Sequence, residues 1–169
     1  MTRTLILGGA RSGKSQRALQ LAEQMSERRV FVATAQAFDD EMRARIEHHK
    51  TERGSGWKTL EEPLDLHRAI EQSVSPDSVC VVDCLTLWLS NLMHHGRDVV
   101  RETNTLCHVL EQMPGSIILV SNEVGLGLVP ETPLGRAFRD AQGRLNQAVA
   151  FACDRVEFIA AGLPLSLKG

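Results

Sequence analysis

The sequence predicts an α/β protein whose sheet is mostly parallel and is covered by helices on both faces. Short, continuously apolar runs alternate along the chain with stretches of helical periodicity. Apolar runs without polar alternation are typical of strands that are buried on both faces, as the strands of parallel sheets are. The length of 169 residues and the apolar content of 43% suffice for one core. Residues 1–169 are therefore expected to form a single domain.

Each element is assigned from its local pattern. The predicted strands are residues 4–7, 29–34, 57–61, 79–83, 116–121 and 155–160, the last of them ending the sheet. One predicted helix begins after residue 13, and others cover residues 39–53, 64–73, 85–94 and 99–113. A final helix is predicted to begin at Thr132 and Pro133, which suit the N-cap and N1 positions. In that final helix we expect Leu134, Phe138, Ala141, Leu145 and Ala148 to face the core and Arg136, Arg139, Gly143 and Asn146 to face away.

The most specific motif is the segment Gly8-Gly9-Ala10-Arg11-Ser12-Gly13-Lys14-Ser15, which lies between the first strand and the first helix. Its spacing, G-x-x-x-x-G-K-S, is that of a phosphate-binding loop. Glycines let the backbone N–H groups turn toward phosphate oxygens, at the positive end of the helix dipole. We expect Lys14 to reach the β- and γ-phosphates and the Ser15 hydroxyl to bind Mg²⁺. The alternative is a glycine-rich turn that happens to carry a lysine.

Ligands of parallel sheets bind beyond the carboxyl ends of the strands, where this sequence places Thr34, Asp83, Asn122 and Glu123 together with the glycine loop. Asp83 is predicted to lie on the Mg²⁺ side of the phosphates, or alternatively to cap the helix that begins at Leu85. Glu123 is a candidate for orienting a substrate hydroxyl or a metal-bound water, or for closing a turn. The apolar loop 124–130 suits contact with a greasy substrate, or packing under the next helix.

The polar segment 39–53 ends in a basic cluster that contains His48 and His49. Adjacent surface histidines are often only solvated. In this position, however, a neutral imidazole can attack phosphorus and form a phosphoramidate, while neighbouring cations stabilise the phosphate charge. These cations also lower the pKa of an imidazole and keep its lone pair free.

The net charge of −2 argues against a general nucleic-acid-binding surface. No apolar run is long enough to span a membrane, and the chain begins with a strand pattern rather than a signal peptide. The four cysteines show no C-x-x-C pairing and are expected to be reduced. The sequence thus predicts a cytoplasmic protein.

The ordered motifs resemble a known family. They are G-G-A-R-S-G-K-S from Gly8, A-T-A-Q-A-x-D-D-E-M-x-x-R-I-x-x-H-K from Ala33, W-K-T-x-E from Trp57, V-D-C-L-T from Val82, S-N-E-V-G-x-G-x-V-P-E from Ser121 and R-D-x-x-G-R-x-N-Q from Arg139. The chain is similar, from Leu5 to about Ala160, to the bifunctional adenosylcobinamide kinase/adenosylcobinamide-phosphate guanylyltransferases of cobalamin biosynthesis. The resemblance implies a P-loop NTPase fold of the RecA type and a homo-oligomer, a trimer with active sites between subunits.

The resemblance also implies the reactions and their residues. Adenosylcobinamide is phosphorylated with ATP or GTP, and GMP from GTP is then transferred to adenosylcobinamide phosphate, giving adenosylcobinamide-GDP and pyrophosphate. Lys14 is implied to be catalytic, and His48 to carry GMP covalently. The implied nucleotide contacts are Gly8, Gly9, Ala10, Arg11, Ser12, Gly13, Lys14, Ser15, Ala33, Thr34, Ala35, His49, Lys50, Thr51, Glu52, Glu61 and Asp83, with Ser15 and Asp83 on the metal.

Two other hypotheses remain open from the residues themselves. The first is a phosphate-loop kinase of another small alcohol, in which His48 only contacts phosphate. The second is a nucleotide-binding assembly or regulatory subunit with slow hydrolysis at most. A lysine-dependent guanylyltransferase motif, K-x-D-G, is absent, and so is the N-K-x-D motif of GTPases.

Overall fold

A computed structural model describes residues 1–36 and 56–169, and these residues form one seven-stranded sheet in the order β3-β2-β4-β5-β1-β6-β7. Six strands run parallel, and only β7, which pairs with β6, is antiparallel. The strands are β1 (Arg3–Gly8), β2 (Arg28–Ala33), β3 (Trp57–Glu61), β4 (Ser78–Asp83), β5 (Ser116–Asn122), β6 (Arg155–Ala160) and β7 (Leu163–Lys168).

The helices of the described residues are α1 (Lys14–Met25), α2 (Leu66–Ser73), α3 (Leu85–His94), α4 (Val99–Gln112) and α5 (Pro133–Ala152). Thr132 is the N-cap of α5, and its side chain accepts a hydrogen bond from the Gly135 N–H, so the predicted start of this helix is confirmed. The helix predicted over 39–53 lies outside the described residues. All other predicted elements are present, with ends that shift by one or two residues.

The core has two parts, one on each face of the sheet. On one face, Ala18 and Ala22 of α1 pack against Ile6, Ile118 and Val120. On the other face, α2 to α5 cover the alternate strand residues, with Trp88 of α3 among the fully buried side chains. Because both faces are covered, the strands carry apolar residues at nearly every position. The predicted α/β class is confirmed.

Two predictions about the last elements are wrong. In α5, Leu134 is 71% exposed, whereas Asn146 is buried. The buried stripe of this helix is Gln142, Leu145, Asn146 and Val149. Hydrogen bonds described below engage the side-chain nitrogens of Gln142 and Asn146. The sheet also does not end at β6: the chain turns at Gly162 and adds β7. All residues of this edge strand are exposed. Its sequence therefore lacks the continuous apolar run that predicts the other strands.

The four cysteines are free thiols. Burial raises the pKa of Cys80 and Cys153 to about 12 and that of Cys84 to about 11. These three thiols are therefore protonated and unreactive at neutral pH, in agreement with the expected reduced state. Among the described residues, no helix combines the length and the apolar character needed to cross a membrane.

Candidate nucleotide site at the carboxyl edge of the sheet

The parallel strands β2, β4, β5 and β1 end at one edge of the sheet, and their last residues are Ala33, Asp83, Asn122 and Gly8. The glycine loop leads from this edge into α1. The loop and the polar strand ends that the sequence singled out therefore share one edge. Ala35 follows β2 at the same edge and is half-buried, while Glu61 ends β3 next to Ala33 in the strand register and is exposed.

Two glycines of the loop cannot be replaced without strain. Gly8 has φ +154°, and an added Cβ would lie 2.5 Å from the Ile159 carbonyl oxygen and 2.7 Å from Ser12 Oγ. Gly13 has φ +100° and is the N-cap of α1, so it combines a left-handed backbone with the start of the helix. The loop is further tied to the β6–β7 turn, where the Gly162 N–H donates to the Ser12 carbonyl. The sequence therefore fixes a compact turn at the positive end of α1.

Lys14 folds back over this turn. Its side chain is only 7% exposed, and its Nζ donates a hydrogen bond to the Gly9 carbonyl at 2.5 Å. Burial lowers the pKa of the Lys14 ammonium, and the nearby Asp83 partly opposes this shift. A buried cation beside the loop N–H groups is a strong attractor for phosphate oxygens, because little water screens it.

Asp83 lies on the same face of the sheet as α1. Val79 and Val81, which alternate with it in β4, pack with Ala18 and Ala22 of that helix. The N-cap position of α3 belongs to Cys84, so the alternative in which Asp83 caps that helix is wrong. Its carboxylate is instead placed near Lys14, where it partly offsets the lowering of the lysine pKa by burial.

The Ser15 hydroxyl and the Asp83 carboxylate are suitable donors for Mg²⁺, which prefers oxygen ligands and keeps several waters. Ser15 follows Lys14 in the first turn of α1, and Asp83 interacts with Lys14, so both donors flank the same lysine. Among residues 1–36 and 56–169, no group of three or more His, Cys, Asp and Glu side chains is arranged to hold a metal. A cation held by Ser15 and Asp83 would complete its coordination with phosphate oxygens and water.

Thr34 is fully buried, and its hydroxyl is already engaged. Thr34 Oγ1 donates to the Cys84 carbonyl at 2.7 Å and accepts from the Cys84 N–H at 2.8 Å. Asn91 Nδ2 in turn donates to the Thr34 carbonyl at 2.8 Å. These bonds hold the ends of β2 and β4 together, so Thr34 has a structural function beside any contact it makes with a nucleotide.

The end of β5 is joined to α3 and to the end of β1 in a similar way. The Asn122 N–H donates to Thr86 Oγ1 at 2.8 Å, and the Glu123 N–H donates to the Gly8 carbonyl at 3.0 Å. From α5, Asn146 Nδ2 donates to the Asn122 carbonyl at 3.1 Å. The sequence did not predict that the side chains of Asn91, Thr86 and Asn146 hold these strand ends by hydrogen bonds. An amide inside an otherwise apolar helix stripe is the signal that would have indicated the two asparagines.

The loop after β5 differs from the glycine loop. Glu123 Oε1 accepts a hydrogen bond from the Gly125 N–H at 2.6 Å, so this carboxylate closes a turn. The guanidinium of Arg136 donates to the carbonyls of Pro130 and Glu131 and fixes the far end of the loop. Between these anchors, Leu126 is 81% exposed and Leu128 is 97% exposed. The alternative that these side chains pack under α5 is therefore wrong.

The predicted residues His48, His49, Lys50, Thr51 and Glu52 lie outside the described residues.

The parallel sheet and the glycine loop with its buried lysine define a P-loop nucleotide-binding protein. The ATPase EscN of the type III secretion system of enteropathogenic E. coli has the same fold, with a TM-score of 0.56 at 13% identity over 98% of this chain and 47% of that one. The flagellar accessory protein FlaH from Methanocaldococcus jannaschii has a TM-score of 0.55 at 12% identity over 99% and 78% of the two chains. The P-loop NTPase fold is confirmed.

The chain belongs to the cobinamide kinase / cobinamide phosphate guanyltransferase family, which it matches over residues 4–167. It is 48% identical to the bifunctional adenosylcobalamin biosynthesis protein CobP of Pseudomonas aeruginosa over 99% of this chain and 98% of that protein. It is 37% identical to CobU of Escherichia coli, likewise a bifunctional adenosylcobalamin biosynthesis protein, over 97% and 98% of the two chains. The predicted bifunctional kinase and guanylyltransferase class is thus confirmed at the level of the family.

Proposed function

We propose that this enzyme phosphorylates adenosylcobinamide with ATP or GTP and then transfers GMP from GTP to the phosphate it has made. The observation that carries the proposal is the buried Lys14, which lies over the glycine loop and near Asp83. This arrangement suits a triphosphate whose terminal phosphates lie between the loop and the end of β4. Membership of the bifunctional family supplies the substrate class.

In the kinase step, the hydroxyl oxygen of the aminopropanol arm attacks the γ-phosphorus. The bond between the γ-phosphorus and its bridging oxygen breaks, the nucleoside diphosphate leaves, and the hydroxyl proton passes to solvent. Lys14 stabilises the charge that develops on the β- and γ-phosphates, and the loop N–H groups hold the diphosphate. Ser15 and Asp83 would hold Mg²⁺, which neutralises phosphate charge when it is bound.

In the guanylyltransferase step, we assign the nucleophile to His48. A ring nitrogen attacks the α-phosphorus of GTP, the bond to the bridging oxygen breaks, and pyrophosphate leaves. A phosphate oxygen of adenosylcobinamide phosphate then attacks the same phosphorus, the P–N bond breaks, and adenosylcobinamide-GDP forms. The family resemblance and the basic residues around His48 support this assignment.

Labelling with GTP that carries ³²P at the α-position tests the covalent step. We expect label on the protein that survives base and is released by acid, as a phosphoramidate should be, and we expect its loss in His48→Ala. His49→Ala is the matched control, and it should keep the label. If His49→Ala alone abolishes labelling, the nucleophile is the other histidine; if the wild-type protein takes no label, the covalent route is wrong.

Exposed apolar side chains support the proposed contacts with the substrate and with further copies of the chain. Leu126 and Leu128 stand at the nucleotide edge, where they suit contact with the apolar periphery of the corrinoid.

Leu163, Leu165 and Leu167 form a second exposed row, on the edge strand β7, and this row supports a homo-oligomer. Light scattering should return a multiple of the 18.7 kDa chain mass, three-fold for the trimer that the resemblance implies. A mass of one chain would contradict this assembly.

A further inference from the structure

Asn122 occupies a position that neither the glycine loop nor the proposed chemistry uses. It is the last residue of β5, and it pairs in register with Gly8, where the glycine loop begins. Ile118 and Val120 of the same strand pack against Ala18 and Ala22 of α1. Because alternate residues of a strand share a face, Asn122 lies on the α1 face, as Asp83 does.

The strand order gives this position its significance. β5 lies between β4 and β1 in the sheet. A phosphate chain that extends from the glycine loop after β1 toward Asp83 at the end of β4 must therefore pass the end of β5. The side chain that stands there is a neutral carboxamide, which can donate a hydrogen bond to a phosphate oxygen without adding charge.

The backbone of Asn122 is held on both sides. Its N–H donates to Thr86 Oγ1 at 2.8 Å, its carbonyl accepts from Asn146 Nδ2 at 3.1 Å, and the next N–H, of Glu123, donates to Gly8. These bonds use the main chain of Asn122. Replacement of its side chain should therefore leave the strand end in place.

Asn146 is itself fixed by a buried polar network. Ser121 Oγ donates to Asn146 Oδ1 at 2.7 Å, and Gln142 Nε2 donates to the same oxygen at 2.9 Å and to Ser121 Oγ at 3.0 Å. All three side chains are buried. Burial of so many polar groups is costly unless their orientation is needed, since an apolar trio of similar size would pack without that cost. The network orients the Asn146 N–H group that donates to the carbonyl of Asn122.

We propose that the Asn122 carboxamide donates a hydrogen bond to the terminal phosphate of the bound triphosphate, and that Asn146 is the positioning residue that holds Asn122 there. The proposal rests on the proposed function in one respect, namely that the nucleotide is held by the glycine loop. It adds a residue that senses the third phosphate, and so distinguishes a triphosphate from the diphosphate left by the kinase step.

The test is equilibrium binding to the full-length protein of a non-hydrolysable GTP analogue and of GDP, both with Mg²⁺. Asn122→Ala should raise the Kd of the analogue about 10-fold, the effect of one hydrogen bond to a charged group, and change the Kd of GDP less than about 2-fold. Asn146→Ala should reduce the preference for the analogue in the same direction but by less. In the Asn122→Ala background, Asn146→Ala should have no further effect on that preference, a result that general damage to the structure would not give.

Gln147→Ala is the matched control, because Gln147 is the exposed amide next to Asn146 on α5. It should leave both Kd values unchanged. The inference is overturned if Asn122→Ala binds both nucleotides as the wild type does, or weakens both equally. Lys14→Ala separates this outcome from a failure of the proposed function: if that variant binds both nucleotides like the wild type, the nucleotide is not held by the glycine loop at all.

Discussion

Two loops leave neighbouring parallel strands at the same edge of the sheet, and they are built in opposite ways. The glycine loop, Gly8 to Gly13, joins β1 to α1, and the loop 123–132 joins β5 to α5. The first lies beneath a buried lysine, whose Nζ donates to the Gly9 carbonyl. The second is closed at both ends by hydrogen bonds from Gly125 and Arg136, and it leaves its leucines in solvent.

The difference indicates two kinds of ligand at one edge. A loop of exposed N–H groups beside a cation stabilises phosphate charge, which apolar side chains cannot do. Exposed leucines on an anchored loop gain free energy only when an apolar surface covers them. A substrate that combines a charged phosphate with a large apolar ring system would use both loops. Changes in one loop should therefore affect one ligand and leave the other unchanged.

The largest expected effect is that of Lys14→Ala. Loss of this cation should reduce both the kinase and the guanylyltransferase rates by about 100-fold or more, the usual effect of removing one charge-stabilising group from an active site. Thermal unfolding should remain cooperative, since Lys14 belongs to the loop and not to the apolar core. Lys58→Ala, at an exposed lysine of β3, is the control that should leave both rates unchanged. Wild-type turnover in Lys14→Ala would remove the functional contrast between the loops.

The two loops also differ in how far the sequence predicts them. The glycine loop follows from its motif, because Gly8 and Gly13 need backbone angles that other residues rarely adopt. The alternation of apolar runs likewise predicts the parallel sheet. The burial of Asn146 and the strand β7 do not follow from such rules: the first depends on partners in β5, far along the chain, and the second on pairing with β6. Long-range contacts of this kind leave no local pattern in a single sequence.

A smaller and more selective effect is expected in the second loop. The double change Leu126→Ser and Leu128→Ser removes both of its leucines and should raise KM for adenosylcobinamide about 30-fold, since each leucine loses about 1 kcal/mol of apolar contact. Labelling of the protein by GTP should be unchanged. Val100→Ser, at an exposed apolar residue of α4, is the control. Equal losses toward GTP and adenosylcobinamide would show that the loops do not divide the ligands as their structures indicate.

The smallest expected effect concerns the ion pair that holds α1, the helix that follows the glycine loop. Arg17 of α1 donates two hydrogen bonds, at 2.8 and 2.9 Å, to the Glu157 carboxylate of β6. The Arg17 hydrogen bond holds the pKa of Glu157 below its usual value. A carboxylate with a lowered pKa stabilises the folded state above its ordinary pKa, and this contribution is lost as the pH falls through the lowered one.

Glu157→Gln should therefore lower the free energy of unfolding by about 1 kcal/mol at pH 7, the size typical of a partly buried ion pair. The deficit relative to the wild type should shrink as the pH falls below the ordinary pKa of glutamate, about 4.3, and through the lowered pKa of Glu157, where the native carboxylate takes up its proton. Urea unfolding at both pH values measures this change, with Glu23→Gln at an exposed position of α1 as the control. A deficit that is the same at both pH values would mean that Glu157 acts through packing, and that α1 is not held to β6 by charge.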